Sequence, residues 1–469
     1  MMKRSLWTAA AVVAIGCGGG TSQLHSAFTT DWQDDGGAGV RAVSPKILAT
    51  PAATGTAAAV GVTPGGLVGV ALSGGTPWFF AHPIDARPTV TGTVVVGMGA
   101  GELFALDAST GRALWTRKTP GNLRGAGDDG RTTVVSLGTV GDNGSIVLAI
   151  DHEGTVVRQL EAAPQVGVPA VLGNYAFLPW SGQYVTIFGL SSGAEEARIL
   201  VREQVSRAFT YRGKVYFGEL GLFRFDEQVS RASTHHASHV SLPARELPGD
   251  PKWFRPATER RAPLADAYDK IALFGAPAEG TPFSLDSSKF ASTYYKIVVG
   301  FDAKTGAIAW AKKHAIEIVA GSPFAGGVAL CDTDGNVTLI SVATGATLSV
   351  ASLGRKITSC AVEAESLHPP PDVASAKAGP LVDQIAGAID VAENEMIAMH
   401  KVLLRELGKL DDPKATKALL DLSSDPRSPP ALAADIETAL ATRRTGGQYM
   451  IDALARHYDF LKDVLRPPP

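Results

Sequence analysis

Residues 94–115 read VVVGMGAGELFALDASTGRALW, hydrophobic strand-like runs around an Asp-x-x-Thr-Gly turn, and residues 301–310 repeat the second half as FDAKTGAIAW. Short runs of Val, Leu, Ile and Phe bounded by Gly-containing turns read as strands. An antiparallel unit of this size cannot bury both of its faces alone. Recurrence at a pitch of roughly 40 residues therefore predicts blades arranged around an axis, a β-propeller.

Working outward from these copies, the turn joining the last two strands of each blade falls at Gly74, Gly111, Gly154, Gly193, near Gln228, at Gly306 and at Gly345. These turns predict a mainly β chain, a propeller of about seven four-stranded blades, with six or eight as alternatives. Less regular copies such as IVLAIDHEGTVVRQL and VTIFGLSSGAEEARIL keep the apolar runs of strands buried between neighbouring blades. In the best copies Asp107 and Asp302 accept hydrogen bonds within their turns, Thr110 and Thr305 complete the motif, and Gly111 and Gly306 take the left-handed position. Trp115 and Trp310 follow, with Trp78 in the comparable place of the first blade, each expected to wedge between blades. All of these residues are read as structural, not catalytic.

Composition agrees. The 51 glycines against 7% aromatic residues suit many short strands joined by tight turns. With 45% hydrophobic and 19% charged residues, a chain of 469 residues can bury a large core and hold more than one domain. A net charge of -3 with interspersed signs leaves no cluster of Lys and Arg for nucleic acid, which is set aside as a partner.

Residues 1–16 read as an export signal, with Lys3 and Arg4 before an apolar run, Leu6 to Ile15, too short to span a bilayer. Ala14-Ile15-Gly16-Cys17 resembles a bacterial lipobox, after which cleavage leaves Cys17 as a lipid-bearing N-terminus. An ordinary secretory signal with an incidental Cys17 is the alternative. Loss of Lys3 and Arg4 leaves 41 basic against 46 acidic residues, a net of -5. Residues 17–45, rich in Gly, Ser, Thr and Asp without a period, read as a flexible tether, and residues 46–366 as the propeller. With Cys17 acylated, Cys331 and Cys360 remain as an even pair in an oxidising periplasm. A disulfide and two separately buried thiols both stay open, because spacing does not fix the Cα separation.

Two long departures interrupt the repeat. Residues 229–261 separate one blade from the next, and residues 276–293 interrupt that next blade between Ile271–Phe274 and Ile297–Val299. In an up-and-down meander both are expected at one end, opposite the Asp-x-x-Thr-Gly turns. They carry Trp253, Phe254, Arg255, Arg260, Arg261, Phe283 and Phe290, residue types that suit a protein-binding surface. A solvated insertion without a partner is the alternative.

After Leu367, HPPPDVASAKAGP breaks the β pattern and makes residues 367–380 a linker. Residues 381–469 read as a small all-α domain, weakly similar to HEAT-type helical repeats. Val382, Ile385, Ile389, Ala392, Met396, Met399, Leu403, Leu407 and Leu410 recur at three- and four-residue steps and predict one long helix. Asp412-Pro413 and Ser428-Pro429 start two more, and Met450, Leu454, Tyr458, Leu461 and Leu465 stripe a fourth.

Chemistry is sparse. Gly97-Met98-Gly99-Ala100-Gly101 follows a strand, but ELFALD continues as another strand where a dinucleotide loop needs a helix. Asp332-Thr333-Asp334-Gly335-Asn336 lacks the remaining ligands of a calcium loop and reads as a hairpin turn. His235, His236 and His239 could offer imidazoles to zinc or copper, yet no second Cys or His group completes the set, and no metal is assigned. No Gly-x-Ser-x-Gly elbow occurs.

The repeat resembles the pyrroloquinoline-quinone (PQQ) type propeller repeat, Val-x-Val-Gly, a few residues, then Leu-x-Ala-Leu-Asp-x-x-Thr-Gly-x-x-x-Trp. Residues 94–115 match it almost throughout and residues 297–310 match its second half, within a coverage of about residues 48–365. Two groups share it: quinone-dependent dehydrogenases, and non-enzymatic lipoproteins such as the propeller subunit of the outer-membrane β-barrel assembly machinery. The resemblance to the second group implies a catalytically inert scaffold with no cofactor, lipid-anchored at the outer membrane and binding other envelope proteins. A periplasmic PQQ-dependent dehydrogenase and a surface module for peptide or glycan are the alternatives. The chain lacks the adjacent cysteine pair of many such dehydrogenases.

Overall fold

In the computed structural model of the chain the described residues form seven antiparallel sheets around the repeated turns. The structure describes residues 28, 37–139, 141, 144–201, 205–218, 222–225, 238–240, 289–302, 307–367, 379–393 and 396–464. The chain enters through helix α1 (Ala38–Leu48). Blade 1 holds β1 (Ala58–Thr63), β2 (Gly66–Ala71) and β3 (Trp78–Phe80), and blade 2 holds β4 (Thr89–Thr91), β5 (Val94–Gly99), β6 (Glu102–Asp107) and β7 (Ala113–Lys118). Blade 3 follows with β8 (Asn122–Asp128), β9 (Thr132–Gly138), β10 (Ser145–Asp151) and β11 (Val156–Ala162). Blade 4 has β12 (Ala170–Leu172), β13 (Tyr175–Trp180), β14 (Tyr184–Gly189) and β15 (Ala194–Leu200). Blade 5 has β16 (Arg207–Tyr211), β17 (Lys214–Gly218), β18 (Leu222–Arg224) and β19 (Ser238–Val240). Blade 6 shows β20 (Lys289–Tyr294), β21 (Ile297–Asp302) and β22 (Ile308–Lys313). Blade 7 has β23 (Ile318–Phe324), β24 (Gly327–Asp332), β25 (Asn336–Ser341) and β26 (Thr347–Ser352).

The last strand, β27 (Ser359–Glu363), returns to blade 1 and pairs antiparallel with β1, Ala59 opposite Val362 and Gly61 opposite Cys360. Blade 1 is thus built from both ends of the propeller segment, which closes the ring by hydrogen bonds. A disulfide between Cys331 in β24 and Cys360 in β27, with Cα atoms 6.7 Å apart, fastens blade 7 to that closing strand. The innermost strands β23, β27, β4, β8, β12 and β16 succeed one another around the axis. The turns between first and second strands and between third and fourth strands lie at one end, the front; those between second and third strands, with the interblade connections, lie at the back.

The Asp-x-x-Thr-Gly turn imposes one recurrent irregularity. The pairing of third and fourth strands slips by a residue at Ala105/Leu106, Ala149/Ile150, Ile187/Phe188, Gly300/Phe301 and Leu339/Ile340. Such a bulge raises the local twist and re-aims the following side chain. The matching slips align β21 with β6, so β20, β21 and β22 correspond to the second, third and fourth strands of a blade.

The re-aimed residue makes the seam. Trp78 lies against Gly111 of the next blade and donates its Nε1–H to the Ala108 carbonyl at 3.2 Å. Trp310 donates to Val342 at 2.6 Å and rests on Gly345, where a Cβ would come within 2.6 Å of the ring. Trp115 rests on Gly154 in the same way. Between blades 3 and 4 an arginine takes the place: Arg158 lies against Gly193 and donates Nη2–H to Ser191 at 2.7 Å.

Several expectations change. The tether does not run to residue 45, because α1 packs Val40, Val43 and Ile47 among Ile187 and Ile199 of blade 4 and Phe217 and Phe223 of blade 5. The long C-terminal helix is two, α2 (Leu381–Ala388) and α3 (Ile397–Lys409). At their junction Asp390 Oδ1 accepts from the Ala392 N–H at 3.1 Å, an Asx-type turn, and the corner is held by ion pairs of Lys313 with Asp390 and of Lys296 with Glu393 at 3.1 Å. Apolar spacing alone could not register the break, since Ile389, Val391 and Met396 stay buried through it. Next come α4 (Pro413–Ser424), α5 (Pro430–Ala441) and α6 (Gly447–Val464). Asp412 caps α4 through the Lys414 N–H, whereas the residue before α5 is Pro429, and Ser428 instead donates to the Leu422 carbonyl at 2.6 Å. The helices share one core with blade 6: Val382, Ile385, Leu403 and Leu419 pack with Tyr295, Ile297, Val299 and Ala311.

Candidate functional site

The inner strands enclose a cavity of about 500 Å³ at the front of the axis, lined by Thr91, Asp128, Pro169, Thr210, Glu363 and Glu365 among others. Two segments border it. Ala52, Ala53 and Gly55 lead from α1 towards β1, and Thr56 donates its N–H to the Gly92 carbonyl at 2.8 Å. Opposite, the chain leaving β27 places Ala364 N–H on Ser322 Oγ of blade 7 at 3.0 Å and Glu365 on the Arg212 N–H of blade 5.

Its acidic groups differ. Asp128 is enclosed and saturated, accepting from Gly130 N–H at 2.8 Å, Thr133 Oγ1 at 2.7 Å and His152 Nε2 at 2.8 Å. The Asp128 hydrogen bond raises the pKa of His152 above its ordinary value, against the opposing effect of burial. Glu363 at the end of β27 accepts from the Glu365 N–H at 2.7 Å. Burial, with Glu365 nearby, pushes Glu363 up to about 7, and burial raises Glu365 as well. The cavity therefore presents Glu363, pushed up to about 7, and Glu365, also raised, beside a saturated aspartate. They can exchange protons and accept hydrogen bonds. Among the described residues no group of three or more His, Cys, Asp or Glu stands at metal-binding spacing. A second cavity of about 730 Å³ opens at the back between blades 3 to 5, lined by Arg124, Gln165, Trp180, Ser181 and Ser206.

The blade residues read from the sequence fall at the seams. Asp107 Oδ1 takes bonds from Ser109 N–H at 3.0 Å and Thr110 N–H at 2.9 Å and from both hydroxyls. Burial pushes its carboxyl up, but these bonds outweigh burial and hold it below the usual aspartate range. Asp302 ends β21, while Thr305 and Gly306 lie outside the described residues. So do Cys17, Trp253, Phe254, Arg255, Arg260, Arg261, Phe283, His235 and His236. Two of the proposed loop boundaries shift. Residues 238–240 form β19, so 229–237 belong to the interval between third and fourth strands of blade 5, and His239 is a strand residue. Phe290 likewise sits in β20 opposite Phe301. Both departures from the repeat contain pairing strands too short or too polar to show in the apolar pattern.

The sequence reading missed Glu363, Glu365 and the N-terminal clamp. Phe28 is buried edge-on against Trp180, ring centroids 5.4 Å apart, while Tyr184 stacks on the same indole at 4.6 Å and Arg198 lies over it at 5.1 Å. A lone Phe in a polar stretch carries no periodic signal.

No curated protein matches the chain. Among solved structures it is similar to BamB from Moraxella catarrhalis, at 17% identity over 62% of this chain and 84% of that one, with a TM-score of 0.35. It is also similar to the computationally designed Ika8 protein, at 13% identity over 66% of this chain and 90% of that one, with a TM-score of 0.36. Residues 64–210, from β2 of blade 1 to β16 of blade 5, match the family model PQQ_2 described as "Outer membrane protein assembly factor BamB". The chain thus carries PQQ-type propeller repeats similar to that family and adds a C-terminal helical region to them.

Proposed function

We propose that this chain is a catalytically inert scaffold of the bacterial envelope, lipid-anchored through Cys17 and binding other proteins through loops of the propeller, in the setting of outer-membrane protein assembly. The match of residues 64–210 to the assembly-factor family carries the reading. The blade architecture supports it, since the named repeat residues are spent on seams and turns: Trp78 and Trp310 on interblade bonds, Asp107 on its own turn. The binding surface is assigned to the insertion after blade 5 bearing Trp253, Phe254, Arg255, Arg260 and Arg261; Phe283, which precedes the second strand of blade 6, falls towards the other end and is not part of it. β19 must be spared in any test, because it completes blade 5.

Deletion of residues 241–261 should leave a folded propeller and remove the envelope proteins crosslinked to the native lipoprotein. An unchanged set of crosslinked partners rejects this surface. A stoichiometric quinone absorbance in the purified protein contradicts the non-catalytic reading and favours a quinone-dependent dehydrogenase.

A further inference from the structure

The N-terminal segment is tied to the propeller at three successive places. Phe28 is seated on Trp180, at the back end of β13. Helix α1 then runs along the outside of blade 4 against β15 and buries Val40, Val43 and Ile47. The chain reaches the front at Thr50, beside Gly173 in the first turn of blade 4, and passes Gly213 at Ala52. The direction is therefore back to front along one side of the molecule. Phe28 itself marks the back end of that path.

Charge varies with the same polarity. Among the described residues, the back end of blades 2 to 5 carries Arg87, Arg117, Lys118, Arg124 and Arg207 against Asp85, Glu102 and Glu161. Members of both signs are hydrogen-bonded there: Arg87 donates to the Cys360 carbonyl at 3.0 Å and Arg124 to the Val166 carbonyl at 3.5 Å, while Asp85 accepts from the Ala100 N–H at 2.6 Å and Glu102 contacts His82 at 3.2 Å. The front of the same blades carries Asp107, Asp128, Asp129, Asp151, Glu153, Glu195 and Glu196 against Arg112, Arg131, Arg212 and Lys214, and Glu363 and Glu365 line the front cavity.

We propose that the back end of blades 2 to 5 is the membrane-facing surface of the protein and rests on anionic lipid headgroups, with the front cavity turned away from the bilayer. The assignment rests on the reading of Cys17 as the lipid-bearing residue. Eleven peptide steps separate Cys17 from Phe28, a span of at most about 40 Å when fully extended. The seat of Phe28 therefore stays close to the bilayer, and the back end, where Phe28 sits, is the near one. Bringing the front down instead would require the segment to climb the outside of blade 4, about 20 Å for a six-residue strand, where α1 already lies. The basic excess at the back adds attraction to anionic headgroups, which act over about a Debye length.

Blade 3 offers labelling sites at both ends: Asn122 is exposed at the back end of β8, and Glu153 is exposed in the front turn between β10 and β11. With Cys17 acylated and Cys331 and Cys360 bonded to each other, Asn122→Cys and Glu153→Cys each give one reactive thiol. The labelled full-length lipoprotein is placed on vesicles containing phosphatidylglycerol and a headgroup-quencher lipid. Quenching at position 122 should exceed that at position 153 at least threefold, and Phe28→Ala should narrow the gap. Equal quenching at the two positions, or stronger quenching at 153, overturns the orientation. Cys17→Ser separates the two readings: loss of vesicle binding supports the anchor, and unchanged binding rejects the anchor and with it the orientation argued from its reach.

Discussion

The seam between blades 6 and 7 and the opposite face of blade 6 show two ways of burying a β-sheet. Towards blade 7, the repeat supplies everything: Trp310 rests on Gly345 and bonds Val342, over Val298, Ile318, Val328 and Ile340. On the other face, Ile297, Val299 and Ala311 are covered by α2 and its neighbours, tied by Lys296 and Lys313 to Glu393 and by Lys313 to Asp390. Blades 4 and 5 repeat the contrast, where α1 fills the outer cleft. A propeller can thus let its repeat decay where helices from its own ends take over the burial that a seam tryptophan provides elsewhere. The helical segment is part of the propeller's core and not an appendage.

The largest expected effect tests that statement. Ile385 is fully buried between α2 and blade 6, so Ile385→Asp places an uncompensated charge there and should cost about 4 kcal/mol or more. Urea unfolding should show helices and blades lost in one shifted transition. Two separable transitions would break the comparison by making the helices independent. Trp310→Ala should cost about 3–5 kcal/mol through the lost aromatic surface. Trp115→Ala should cost about 1 kcal/mol less, because its Nε1 has no partner to lose while Trp310 leaves the Val342 carbonyl unpaired. Paired denaturation curves that coincide would show that the seam bond adds nothing. Replacing Cys331 and Cys360 together by serine should cost about 2–4 kcal/mol, as the bond closes a separation of 29 residues across the ring closure. An unchanged midpoint under oxidising conditions would place ring closure in the β1–β27 ladder alone.

The smallest effect concerns the axis. Glu363 holds its proton more tightly folded, near 7, than its ordinary value of 4.5. Its contribution is fully present below pH 4.5 and is lost as pH rises through 7. Glu363→Gln should therefore gain stability over the parent as pH rises from 4.5 to 8, with no gain at pH 4.5. Parallel stability curves for the two proteins across that range would contradict the buried, proton-holding environment.

Much of this was legible in advance because the repeat couples sequence to geometry at fixed offsets. Asp107, Gly111 and the seam tryptophans announce bulge, turn and wedge together, so blade number and placement follow. The same logic explains what stayed hidden. AGVRAVSPKIL carries a glycine, a serine and an internal Pro45, so its helical stripe of Val40, Val43 and Ile47 is masked by residues of low helix propensity. Arg158 serves a seam without being aromatic, and β19 and β20 lie in stretches whose polar residues disguise pairing. Glu363 ends the closing strand and Glu365 follows it, and nothing in VEAES marks them as axial until β27 is known to pair with β1.

Hydrogen–deuterium exchange of the full chain against a chain ending at residue 367 tests the shared burial most directly. Amides of β21 and β22 should exchange at least a hundredfold faster without α2 to α6, while β5, β6, β9 and β10 keep their protection. Equal protection of blade 6 in both chains would contradict the account.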